Sequence, residues 1–153
     1  MKHFLLVFSL GLTACAFHPI YSTEKIQSVC VSPIPEESGY QIYQALQGRF
    51  PEKTNCQYTL KVSVPKVSMS SNNISDTDFT TMQLIRTRAD YTLLDKNKNV
   101  VLQNSVSSSS SSAITTSPYA SVVAEEKTTK NLYTILADQI AAHVATYLNG
   151  QSQ

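Results

Sequence analysis

The stretch Thr80-Thr81-Met82-Gln83-Leu84-Ile85-Arg86-Thr87-Arg88-Ala89-Asp90-Tyr91-Thr92-Leu93-Leu94 decides the fold class. Ile85, Thr87, Ala89, Tyr91 and Leu93 fall on one side of an extended chain, and Arg86, Arg88 and Asp90 on the other, because successive strand side chains point to opposite faces. Such a strand buries one face and wets the other, and its two arginines project together. Upstream, Tyr58, Leu60, Val62 and Val64 alternate in the same way with Thr59, Lys61, Ser63 and Pro65. The apolar parity then changes, with Val67 and Met69 on odd positions, which predicts a β-bulge near Pro65-Lys66. From Ser68 to Asp78 the chain is polar, with Ser70-Ser71-Asn72-Asn73, and predicts a long hairpin loop.

Asp95-Lys96-Asn97-Lys98-Asn99 is turn chemistry, and Val100 to Val106 predicts the returning strand. Six serines, Ser107 to Ser112, follow it. They read either as a flexible linker or as a polar continuation of the strand. Before these elements, Ile26 to Val31 is β-branched and bounded by Pro33 and Pro35, as a short strand would be. Glu36 to Phe50 places Tyr40, Tyr43, Ala45, Leu46 and Phe50 near helical spacing, with acidic residues in the first turn. The longest element opens at Ser117-Pro118, an N-cap followed by proline at the first helical position, and is expected to stop before Gly150. Its apolar positions run from Val122 through Thr129, Leu132, Tyr133, Leu136, Ile140, Val144, Tyr147 and Leu148, so one face must pack on something. The expected fold is α+β: a four-stranded, mainly antiparallel sheet packed by two helices in the order β-α-β-β-β-α, within one domain over 26–149 and a short tail over 150–153.

The N-terminus carries its own message. Lys2 supplies a positive start, Phe4 to Leu12 a short apolar run, and Leu12-Thr13-Ala14-Cys15 a small-residue approach to cysteine, the pattern of a bacterial lipoprotein signal. The run is far too short to span a bilayer. Residues 1–14 are expected to be removed, Cys15 acylated, and 15–25 left as a lipidated tether to the membrane. Ala16 stands where an inner-membrane retention signal would place Asp, which favours the outer membrane. The 139 residues left suit one domain with one core.

Without Lys2 the basic and acidic residues balance, so no general field attracts nucleic acid. Arg49 to Lys98 is nonetheless a mildly basic sector, with eight basic side chains against five acidic. Only four glycines and no tryptophan occur, and no phosphate-cradling loop is visible. Nor is there a nucleophile elbow, a close histidine–carboxylate pair or a set of metal ligands, so neither enzyme activity, cofactor nor metal is expected. Cys30 and Cys56 lie in the exported part, where they could form a disulfide closing about 26 residues or stay as buried thiols.

Cys15-Ala16-Phe17-His18-Pro19-Ile20-Tyr21 resembles the Cys-Gly-Phe-x-Pro-Leu-Tyr start of the LPS-assembly lipoprotein family, LptE, particularly its shorter branch outside the enterobacteria. Arg88 to Asp95 resembles that family's third strand, Ser117-Pro118-Tyr119-Ala120 its helix opening, and Leu136-Ala137-Asp138-Gln139-Ile140 its late-helix pattern. Ala16 departs from the usual glycine, and Lys127, Lys130 and His143 stand where the family is often richer in arginine. The resemblance implies a lipid-anchored, periplasm-facing outer-membrane protein that sits inside the β-barrel LptD and helps it assemble and accept lipopolysaccharide. The different reading is a free periplasmic lipoprotein that binds a small amphiphile or stabilises the envelope. From the residues themselves, Arg86 and Arg88 could present guanidinium forks to an anionic glycolipid, or be satisfied by Asp90 and a cross-strand acid as a solvated face. Lys96 and Lys98 are weaker candidates for the same role, being turn charges.

Overall fold

A computed structural model describes residues 26–51, 54–72 and 81–151. A single 3-10 turn, Ile26–Ser28, leads into β1 (Val29–Val31), followed by α1 (Glu37–Gln47), β2 (Tyr58–Val62), β3 (Lys66–Asn72), β4 (Thr81–Asp95), β5 (Val100–Ile114) and α2 (Pro118–Gly150). The class is α+β, as the alternation requires, but the sheet has five strands where four are expected. The expected second strand is divided: β2 and β3 lie end to end along one edge of β4, with Val62 opposite Tyr91 and Lys66 opposite Arg88. Three residues, 63–65, therefore stand against two, Ala89 and Asp90, which is a bulge at the parity change. Pro65 sits in this break, outside both ladders. Ser63 pins it by donating its N–H to the Asp90 carbonyl (2.8 Å) while its hydroxyl accepts from the Asp90 N–H (3.0 Å).

One further expectation is corrected and one choice is settled. Ser68 to Asn72, assigned by composition to a hairpin loop, belong to β3, with Ser70, Ser71 and Asn72 paired to Leu84, Gln83 and Met82; the rest of that loop, 73–78, lies outside the described residues. Of the two readings of the six serines the polar continuation of the strand holds, since they pair with Arg88 back to Gln83 along β5. In both places β4 is long enough to supply backbone partners, and ladder hydrogen bonds outweigh a weak intrinsic preference. At the N-terminal side, β1 is only three residues because Ile26–Ser28 turns, and it runs parallel to β2 with Val29 opposite Tyr58.

Both helices cover one face of the sheet. Ser117 caps α2 as expected, its hydroxyl accepting from the Ala120 N–H at 3.4 Å, whereas the far end continues through Gly150 and is capped by Gln151. Ile42, Leu46 and Phe50 beside α1, Leu60, Tyr91 and Leu93 of the sheet, and Leu136, Ile140, Val144 and Leu148 of α2 form the core. The Arg49 guanidinium ties α1 to α2 by donating to Asp138 (Nε to Oδ1, 2.7 Å) and back to the Ala45 carbonyl. The buried Tyr91 phenol meets His143 Nδ1 at 2.9 Å, and burial pushes its pKa up. Helical periodicity overstates the packed length of α2, since Val122 is 62% exposed and burial begins only at Leu132.

Thr87, at the centre of β4, is fully buried and its hydroxyl has no hydrogen-bond partner among the described residues. An unsatisfied buried hydroxyl costs about 1–3 kcal/mol, and valine fills nearly the same space. Thr87→Val is expected to raise the urea midpoint by about 1 kcal/mol or more of stability with an unchanged m-value; a lower midpoint would show that the hydroxyl is paired.

Candidate functional site

The face of the sheet opposite the helices is not covered by any described element. Its residues follow from strand parity and register. Arg86 and Arg88 point outward from β4, flanked across the strands by Ser68 and Ser109, and by Lys66 and Ser107, respectively. Around them the face is built of small polar groups, with Ser63, Ser68, Ser105, Ser107 and Ser109 all reaching solvent to some degree.

The structure adds Lys66 to the expected pair of arginines. The bulge at residues 63–65 turns Lys66 outward and sets it directly opposite Arg88, and like charges so placed repel. Among the described residues Asp90 alone pairs with this cluster: Arg88 Nε and Nη2 each lie 3.4 Å from its Oδ1, and Nη2 also donates to the Ser105 hydroxyl at 3.1 Å. Both members of this ion pair are more than half exposed, so it contributes at most about 1 kcal/mol and weakens with salt. Arg86 and Lys66 make no ion pair among the described residues. Among the described residues one carboxylate thus faces three cations, Lys66 of β3 and Arg86 and Arg88 of β4, a charge pattern whose chemistry suits a phosphate or carboxylate group. Parity at Pro65 was the signal for Lys66, since it moves the even-numbered lysine to the wet face.

Lys96 and Lys98 are not brought to this cluster. They sit in the β4–β5 turn, eight or more strand residues from Arg88 and so about 25 Å away. That turn is built around Asp95, whose carboxylate accepts from the backbone N–H groups of Asn97 (2.8 Å) and Asn99 (2.9 Å) and from Asn99 Nδ2 (3.0 Å). The Asn99 hydrogen bonds foremost, then those of Asn97 and the Lys96 charge, hold the Asp95 carboxyl below its usual range. Lys98 takes the left-handed conformation that closes the turn (φ 64°), a structural role.

Cys30 and Cys56 are joined as a disulfide, with Cα atoms 5.6 Å apart, and fasten β1 to the segment entering β2. Cys15 and the tether lie outside the described residues. Among the described residues no group of three histidine, cysteine or carboxylate side chains could hold a metal ion, and no helix is long and apolar enough to cross a membrane.

No protein-family model matches the sequence, and no curated protein sequence matches it. The fold is shared with solved bacterial structures. A candidate lipoprotein from Caulobacter crescentus superposes with a TM-score of 0.65 at 20% identity, over 86% of this chain and 96% of its own. Rare lipoprotein B from Shewanella oneidensis matches with a TM-score of 0.62 at 12% identity, over 82% and 98%. A minor lipoprotein from Acinetobacter baumannii matches at 0.58 and 15% identity, over 79% and 94%. The domain therefore has a fold found among bacterial lipoproteins, spanning nearly the whole of each.

Proposed function

We propose that this chain is a non-enzymatic outer-membrane lipoprotein, anchored through Cys15, that occupies the lumen of the lipopolysaccharide-assembly barrel LptD and offers Lys66, Arg86 and Arg88 to the phosphates of lipopolysaccharide in transit. The observation that carries the reading is the uncovered sheet face. Transmembrane barrels are apolar outside and polar within, so a lodger in the lumen needs a broad wet surface with little bulk. The outer face of β5 is serine-rich and that of β4 carries Arg86, Arg88 and Asp90, and at 15 residues each these strands are about 50 Å long. That exceeds the apolar band of a barrel, about 25 Å tall, so the hairpin can line the lumen from end to end. The likeness to LptE at Cys15 to Tyr21 and along α2 supports the same conclusion, as does a fold found among lipoproteins.

Tagged full-length protein, extracted in detergent that keeps barrels intact, is expected to bring LptD down at near-equal yield. Extracts that never contain the barrel would overturn this reading in favour of a free periplasmic lipoprotein. On the same material, Arg86→Ala/Arg88→Ala is expected to retain the barrel while losing lipopolysaccharide affinity at low salt, because exposed strand charges contribute little to folding.

A further inference from the structure

The described elements roof the inner face of the sheet only in part. Beyond the start of α1, a groove of about 540 Å³ opens between β3, the first turns of α1 and the first half of α2. Val67 and Met69 of β3 line its floor and are 38% and 45% exposed, although they lie on the side of the sheet that is buried elsewhere. Val122 and Tyr133 face them from α2. Val67, Met69 and Val122 thus hold core-side positions with no described core above them, which explains why the apolar periodicity of α2 runs beyond the buried segment.

Charge decides what fits. Glu36 and Glu37 stand on one bank and Glu125 and Glu126 on the other. Lys130 answers only Glu126 as an ion pair, at 2.5 Å, leaving three of the four carboxylates without an ion pair among the described residues. Its ammonium pKa is raised by the hydrogen bond to Glu126 first, and also by the charge of Glu37 across the groove. Glu36 takes a left-handed backbone (φ 66°) at the head of α1 and provides no side-chain cap. On the α1 wall the Gln41 side-chain carbonyl is buried without a partner among the described residues, an acceptor facing no donor. An anionic lipid would meet this acidic rim unfavourably. The second edge of β3 pairs with no described strand, so an extended chain can lie along it.

We propose that this groove docks a basic amphipathic segment of a partner protein, extended beside β3, with an apolar side chain among Val67, Met69 and Val122 and lysine or arginine side chains on the glutamates. The inference is independent of the barrel reading, since the acidic groove and the basic sheet face lie on opposite sides of the sheet. The test is fluorescence anisotropy of full-length protein in nonionic detergent, titrated against a labelled octapeptide of alternating lysine and leucine. Saturable binding is expected, and any binding of the glutamate–leucine counterpart, which the cations of the outer face can take, is expected to be the same in Val122→Asn as in wild type. Glu36→Gln/Glu37→Gln/Glu125→Gln should raise Kd about tenfold, three partly exposed ion pairs together, and Val122→Asn should raise it several-fold, both with wild-type melting. Unchanged Kd in the triple variant, or binding of the acidic peptide that Val122→Asn weakens, overturns the proposal. So does lipopolysaccharide binding, or self-association of the protein, that Val122→Asn abolishes.

Discussion

Leu136→Asp is expected to prevent the domain from folding, while Ile135→Asp, one residue away, leaves its thermal midpoint within a few degrees. Leu136 is fully buried among the residues that join α2 to the sheet, whereas Ile135, about 100° round the helix, is 42% exposed. Removing the leucine side chain alone costs about 2–5 kcal/mol, and stranding a carboxylate in its place adds several more, because an unpaired charge must be buried or protonated. A domain of this size is stable by about 5–15 kcal/mol in all. Circular-dichroism melting of the two variants decides the matter. A wild-type midpoint for Leu136→Asp would show that α2 does not pack on the sheet through this face.

Reduction of the Cys30–Cys56 disulfide is expected to lower stability by about 3–4 kcal/mol, the chain-entropy value for a loop of its sequence separation of 26. For a domain of this length that corresponds to a drop of about 10 °C in the melting midpoint. The effect should concentrate at β1, which is three residues long and pairs with β2 alone. Beside the ladder, the Gln57 N–H donates to the Ser28 carbonyl and the Ser32 N–H to the Leu60 carbonyl, both at 2.9 Å. Calorimetry with and without reductant, beside Cys30→Ala/Cys56→Ala, provides the check. An equal midpoint in all samples would mean that the bridge constrains nothing that unfolds.

Local pattern alone determined several features of this protein. Alternation over Ile85 to Leu93 assigns the buried and wet faces of β4, because a strand admits no other placement of successive side chains. Ser117-Pro118 sets the start of α2, because a hydroxyl acceptor and a residue lacking an N–H suit a helix end. The parity change after Val64 locates the bulge, because one extra residue is all that reverses faces. Each of these is settled by neighbours within a few positions, so the sequence carries it in full.

What joins distant segments was decided only by tertiary structure. Spacing leaves Cys30 and Cys56 open as bridge or free thiols; it is the parallel pairing of β1 with β2 that brings them together. Composition assigns Ser70 to Asn72 to a loop and leaves Ser107 to Ser112 open as linker or strand; β4 supplies the hydrogen-bond partners that make both of them strand. Lys66 joins Arg88 through register, while Lys96 and Lys98, close to the arginines in sequence, are carried away by the length of β4. Val122 continues the apolar period of α2, yet whether such a residue is core depends on whether another element lies above it. Local residues specify which way a side chain points, but pairing across the sheet and the extent of α1 specify what it meets there.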